Sequence, residues 1–198
     1  MNEFPIIAVV GLPGSGKSEL SKAIQVEHGY QLFDSTWLKG EYLKEYGHHQ
    51  GDRYSMREFV QRQKQERGSD FIYRQAIKEA RAANAIGCVV DGLRDPDDTA
   101  GVISDRGVIV GVHAPDPQTE FNRMKLRGRL GDTVDYDKFM VLRNAELNGA
   151  LPPLNTGAVL EQAELQITTP DITDRNLRNR TYQDLARSIV EYAEALTP

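Results

Sequence analysis

"GLPGSGKS", Gly11 to Ser18, directly follows the apolar run "FPIIAVV", Phe4 to Val10. Three glycines, a lysine and two hydroxyls within eight residues fit the pattern G-x-x-x-x-G-K-[ST] at every position. Glycine lets a backbone curl until successive N–H groups face inward as an anion nest. A helix starting at the end of the loop adds its positive N-terminus. The spacing therefore predicts a buried strand over Pro5–Val10, a phosphate-gripping loop, and a helix over "KSELSKAIQVEH" with Leu20, Ala23 and Ile24 on one face. Gly11, Pro13, Gly14, Ser15, Gly16, Lys17, Ser18 and Glu19 are the candidate nucleotide-binding residues. Lys17 is placed to reach the β and γ phosphates of a nucleotide, and Ser18 to ligate Mg²⁺.

Further apolar runs alternate with helical patterns. "YQLFD", "AIGCVVD", "GVIVGVHA" and "ELQITT" read as strands. Ser35 to Asn84 reads as mostly helical, with Ile72, Ala76, Ala80 and Ala83 at helical spacing. "DPDDTAGVISD" suits a short helix with Asp95 as N-cap and Pro96 at its first position; "DPQTEFNRMKLRGR" opens another behind Asp-Pro. Leu185, Ile189, Tyr192, Ala193 and Leu196 form the stripe of a last helix. Continuously apolar strands separated by helices imply a parallel sheet covered on both faces. Ligands of such sheets bind beyond the strand C-termini, where Gly11–Ser18, Asp34, Asp91 and His113–Ala114 all fall.

Asp91 ends its strand in "CVVDG" and is the candidate carboxylate for a Mg²⁺ shared with Ser18. Arg94 follows three residues later and can face an anionic acceptor. "FNRMKLRGRLGD" carries Arg123, Lys125, Arg127 and Arg129 between possible glycine hinges at Gly128 and Gly131. Arg123 and Arg127 share a helix face at i, i+4, an arrangement of like charges that favours an anion between them. Such a segment suits a lid over ATP that excludes water and brings arginines to a transferring phosphoryl group. Asp34 is read two ways: as a base for an acceptor hydroxyl, and as the cap of the helix beginning near Thr36.

Composition narrows the setting. The chain has 198 residues, 39% hydrophobic and 27% charged, enough for one α/β domain. Its net charge of −5 weighs against a general nucleic-acid coat, while 16 Arg against 8 Lys hint at an anionic ligand. No run approaches the roughly 20 apolar residues of a membrane span. The single cysteine, Cys88, excludes an internal disulfide and reads as strand filler. A cytoplasmic location, no membrane partner, and a monomer or homodimer are expected.

"VVGLPGSGKS", "VVDGLRDP", "VHAPDPQTEFNRMKLRGR" and the "YDKFMVLRNAEL" helix together resemble the P-loop nucleotide kinase superfamily, most closely its dephospho-CoA kinase-like and nucleoside monophosphate kinase-like members. The resemblance runs over roughly residues 5–170. It implies a three-layer P-loop NTPase fold with a five-stranded parallel sheet of order 2-3-1-4-5, in one domain spanning 1–198. Residues 35–84 would form a helical acceptor-binding segment and 123–135 a short lid. Asp34 stands where dephospho-CoA kinases carry an Asp, although Ser35 and Thr36 depart from their D-A-D pattern. "DGLR" is similar to the D-G-x-x-R of nucleoside monophosphate kinases with one residue fewer. Trp37 and Tyr42 would be available to stack on a base, and Arg53, Arg57, Arg62, Arg67 and Arg74 to bind anions. The implied activity is transfer of the γ-phosphoryl group of ATP, with Mg²⁺, to a small nucleotide or nucleotide-like acceptor. Lys17, Asp34, Arg94, Arg123, Arg127 and Arg129 are the candidate catalytic residues. Two alternatives stay open: a kinase for a hydroxyl of a polynucleotide or modified DNA base, and a nucleotide-binding switch or ATPase without an acceptor. No N-K-x-D-like guanine reader is present.

Overall fold

In a computed structural model of the chain, the described residues are 4–47, 53–128, 132, 135–152 and 154–197; the side chains of residues 53 and 54 are outside the description. Among the described residues the elements run β1 (Ile6–Val10), α1 (Lys17–His28), β2 (Gln31–Phe33), α2 (Ser35–Tyr46), α3 (Arg53–Arg67), α4 (Phe71–Ala82), β3 (Cys88–Asp91), α5 (Pro96–Ser104), β4 (Val108–His113), α6 (Pro117–Arg127), α7 (Tyr136–Leu147), α8 (Thr156–Glu161), β5 (Leu165–Thr168) and α9 (Arg175–Leu196). The strands form one five-stranded sheet of order β2-β3-β1-β4-β5, and every pairing is parallel.

The apolar run of β1 is continuous because β1 is central and covered on both sides. Alternate residues serve opposite faces. Ile6, Ala8 and Val10 join Tyr73, Ala76, Ile77 and Ala80 of α4, Val102 of α5 and Val159 of α8. Ile7 and Val9 join Leu20 and Ile24 of α1 and Tyr182, Ala186, Ile189 and Val190 of α9. Cys88 lies wholly inside the first cluster, and burial pushes its thiol up to about 12.

Helix starts follow the local chemistry. Asp34, Asp95, Asp116, Asp135 and Asp174 each accept a main-chain N–H of the first turn they precede, and α5 and α6 carry Pro in their first turn. Two sequence expectations need correction. The buried face of α9 is Tyr182, Ala186, Ile189, Val190 and Ala193, whereas Tyr192 and Leu196 are exposed. Tyr42 is not available to stack on a ligand: it is 3% exposed and packs on Tyr46 and Phe59 where α2 meets α3. Among the described residues, no helix is long and apolar enough to cross a membrane.

Candidate functional site: a phosphate cradle at the sheet edge

Parallel strands place all their C-termini on one edge, and the register brings the loop residues level. Val9 pairs Asp91 and Phe33 pairs Val90, so Asp34 and Asp91 lie at neighbouring strand ends. The N–H of Gly92 donates to the carbonyl of Val9 at 2.9 Å, hooking the turn after β3 onto the end of β1.

The Gly11–Ser18 loop is a close-fitting turn. Gly11, Gly14 and Gly16 have φ of +154°, +88° and +97°, values that L side chains rarely adopt. A Cβ on Gly14 would also run into the carbonyl of Glu120, and one on Gly16 into the Tyr182 hydroxyl. Ser15 N–H donates to Leu12 O at 3.2 Å. Among the described residues, no main-chain acceptor takes the N–H groups of Gly14, Gly16, Lys17 or Ser18, so the loop offers donors at the N-terminus of α1. Pro13 and Ser15 are buried, and Glu19 is exposed in the first turn of α1.

Lys17 is 7% exposed. Its ammonium donates to Leu12 O at 3.4 Å, and among the described residues no carboxylate lies within ion-pair distance. Burial, and next the nearby Arg94, push its pKa from 10.5 down to about 8; Asp91 and Glu146 pull upward, and Arg127 adds to the lowering. Ser18 Oγ donates to Asp91 Oδ2 at 2.7 Å. The other oxygen, Asp91 Oδ1, is buried without a partner among the described residues. A hydroxyl and a half-used carboxylate beside a phosphate cradle are a hard-oxygen donor set that fits Mg²⁺.

The arginines are distributed differently from the sequence expectation of one anion between Arg123 and Arg127. Arg123 Nη1 donates to Thr169 Oγ1 at 2.8 Å and, more weakly, to Gly14 O at 3.4 Å; its Nη2 donates to Pro170 O at 2.8 Å. Thr169 Oγ1 in turn donates to Ser15 O at 2.6 Å. Arg123 thus braces the loop from the β5 side. Arg127 holds Asp132 through two bonds of 2.8 and 3.0 Å. Each arginine has its own partner, which removes the like-charge conflict. Arg94 Nη1 donates to Glu146 Oε1 at 3.1 Å. Asp34 caps α2, accepting Thr36 N–H at 2.8 Å. Arg129 and Gly131, with part of the 123–135 segment, lie outside the described residues, as do His48, His49 and the side chain of Arg53.

On the helical segment three of the candidate arginines are paired: Arg62 with Glu45, Arg67 with Glu41, Arg74 with Asp70. Lys64, 9% exposed, forks to Asp95 at 2.9 Å and Asp98 at 2.7 Å, tying α3 to α5 directly after Arg94. The sequence reading missed Lys64, Glu146, Thr169 and Tyr182. Glu146 carried one signal: it shares a helix face with Phe139 and Arg143 at i, i+4, i+7, so a carboxylate falls on the apolar side of α7.

The fold and this cradle define a protein of the P-loop kinase superfamily. A family model described as AAA domain matches residues 7–138. A UPF0200 protein of Hyperthermus butylicus is 32% identical over 139 residues, covering 68% of this chain and 71% of that protein. The chain belongs to both families, the AAA-domain family and the UPF0200 family. Among solved structures, TT1252 from Thermus thermophilus is similar with a TM-score of 0.59 and 16% identity, covering 96% of this chain and 98% of that one. Shikimate kinase from Bacteroides thetaiotaomicron gives a TM-score of 0.56 and 16% identity, covering 94% of this chain and 98% of that one. At these identities the likeness is one of fold.

Proposed function

We propose that the protein is an ATP- and Mg²⁺-dependent phosphotransferase that moves the γ-phosphoryl group to a small nucleotide or nucleotide-like acceptor. The observation that carries this reading is Lys17: a buried cation without a carboxylate partner among the described residues, set in a loop of open main-chain donors. Burying a charge unpaired is costly, and a bound polyphosphate removes that cost. The fold neighbours include a shikimate kinase, a kinase named for a small molecule.

In this reading Lys17 and the loop N–H groups bind the β and γ phosphates. Ser18 and Asp91 hold Mg²⁺, which supplies charge neutralisation across the phosphates. Arg94 and Arg127 orient the acceptor and the transferring group; Arg123 keeps the loop in shape; Arg129 belongs to the same lid segment. Asp34, one strand from Asp91, takes the proton when the acceptor is a hydroxyl, and a phosphate acceptor needs no such base. Arg62, Lys64, Arg67 and Arg74 of α3 and α4 are matched by carboxylates, which favours a small acceptor over a polynucleotide tracking a basic groove.

The test is transfer from γ-labelled ATP across nucleoside monophosphates, dephospho-CoA, nucleosides and oligonucleotides, with Lys17→Met as control. A labelled small-molecule product that is lost in the control supports the proposal. Label appearing only in inorganic phosphate would favour the switch or ATPase, and label only on oligonucleotides the polynucleotide kinase.

A further inference from the structure

Helix α7 turns charged groups toward the site. Arg143 Nε donates to Glu120 Oε2 of α6 at 2.6 Å. One turn further on, Glu146 is 5% exposed, and its Oε1 accepts both Arg94 Nη1 at 3.1 Å and Thr156 Oγ1 at 2.9 Å. Thr156, the first residue of α8, is fully buried. The preceding residue, Asn155, donates its main-chain N–H to Arg94 O at 2.8 Å. Arg94 is therefore gripped at its carbonyl and at its guanidinium by the α7–α8 corner, far away in sequence. Glu146 also lines a narrow pocket with Leu12 and Pro13 of the loop, Met124 of α6, and Phe139, Leu142 and Arg143 of α7.

Charge explains why a carboxylate stands there. Two cations, Lys17 from α1 and Arg94 from the turn after β3, share one enclosed edge. Arg127 from α6 adds a third positive field, and Asp91 from β3 is already bonded to Ser18. Like charges in a low-dielectric site repel strongly, and a buried carboxylate persists when it is paired and bonded, as Glu146 is through Oε1.

We propose that Glu146 is a positioning residue of this site: its buried carboxylate, oriented by the Thr156 hydroxyl, fixes Arg94 by one guanidinium nitrogen at the phosphate edge. The proposal rests on the reading of that edge as a phosphoryl site. Among the described residues, Glu146 is the one side chain to which Arg94 bonds, so the rest of the guanidinium stays available to an anion.

The experiment reads the Arg94 guanidinium by NMR in full-length protein labelled with ¹⁵N at arginine, the Arg94 signals being identified by their disappearance in Arg94→Lys. A guanidinium held by a carboxylate at one Nη rotates slowly about its Cζ–N bonds, so the wild type is expected to show separate Nη signals. Glu146→Ala should merge them, and Glu146→Gln, which keeps an acceptor oxygen, should partly restore the separation. Should Glu146→Ala fail to fold, Thr156→Val, which removes the orienting donor, is expected to broaden the Arg94 signals, while Thr156→Ser leaves them in place. Arg94 signals unchanged in a folded Glu146→Ala or Thr156→Val variant would overturn the proposal, since a merely structural role alters melting temperature alone. Binding of Mg·ADP to the wild type separates the two readings: if none binds, the phosphotransferase reading falls while the Arg94 signals still judge Glu146.

Discussion

Lys17→Met should make the protein more stable and less able to bind nucleotide. Lys17 is 7% exposed, and burial and Arg94 push its pKa from 10.5 to about 8. At about 1.4 kcal/mol per pH unit, that lowering represents about 3 kcal/mol of strain in the ligand-free fold. Methionine matches the length of the stem and carries no charge, so it relieves most of this strain. It forfeits the long bond to Leu12 O at 3.4 Å, worth about 1 kcal/mol or less. The net gain is about 2 kcal/mol, a rise in melting temperature of roughly 4–8 °C for a chain of this size. The pH dependence has a definite sign. Between pH 8 and 10.5 the unfolded chain binds the lysine proton and the folded chain does not, so wild-type stability rises with pH in that window. The gap between variant and wild type should be full below about pH 8 and shrink toward pH 10.5. Scanning calorimetry at pH 7 and pH 10, with ADP titration at pH 7, reads all three quantities. A variant equal to or less stable than wild type at pH 7, or a gap that ignores pH, would refute the account of Lys17 as an unpaired buried cation.

Three other outcomes follow from the same geometry. Asp91→Asn keeps a partner for Ser18 and loses the charge; Mg²⁺ should then no longer tighten ADP binding, an effect measured by calorimetry with and without the metal. Gly14→Ala sets a Cβ against the carbonyl of Glu120 at a φ of +88°; it should lower the melting temperature and weaken ADP binding by roughly tenfold or more, a strained loop costing about 1–3 kcal/mol. Lys64→Met leaves Asp95 and Asp98 facing each other uncompensated. Burial already pushes Asp98 up to about 6. Breaking such a pair costs about 3–5 kcal/mol, seen as a lower denaturation midpoint that Lys64→Met combined with Asp98→Leu partly restores.

Much of the fold was legible because its signals are local. The apolar runs gave the strands to within two or three residues, and the span Lys17–His28 matches α1 at both ends, where Gly16 and Gly29 punctuate the chain. Asp95-Pro96 and Asp116-Pro117 marked their helix entries by side-chain bonds to the next residues. The short helix α8 carried too little periodicity to be read. The site was half legible. Gly11–Ser18 and Asp91 stand out because the phosphate and metal binding proposed for them demands fixed residue types at fixed spacing. Glu146, Thr169 and Tyr182 do not, because their roles arise from contacts across many residues, such as Thr169 with Ser15. The arginines show the same limit: spacing placed Arg123 and Arg127 on one helix face, but only packing decides that one meets Thr169 and the other Asp132. Asp34 was read as base and as cap; the cap is present in the fold, and the base remains part of the proposal.

The most direct measurement is a crystal structure with Mg·ADP. The account predicts the β-phosphate inside the Gly14–Ser18 turn, bonded to Lys17, with the metal beside Ser18 and Asp91. A nucleotide seated elsewhere, with Lys17 still turned to Leu12 and the turn empty, would contradict it.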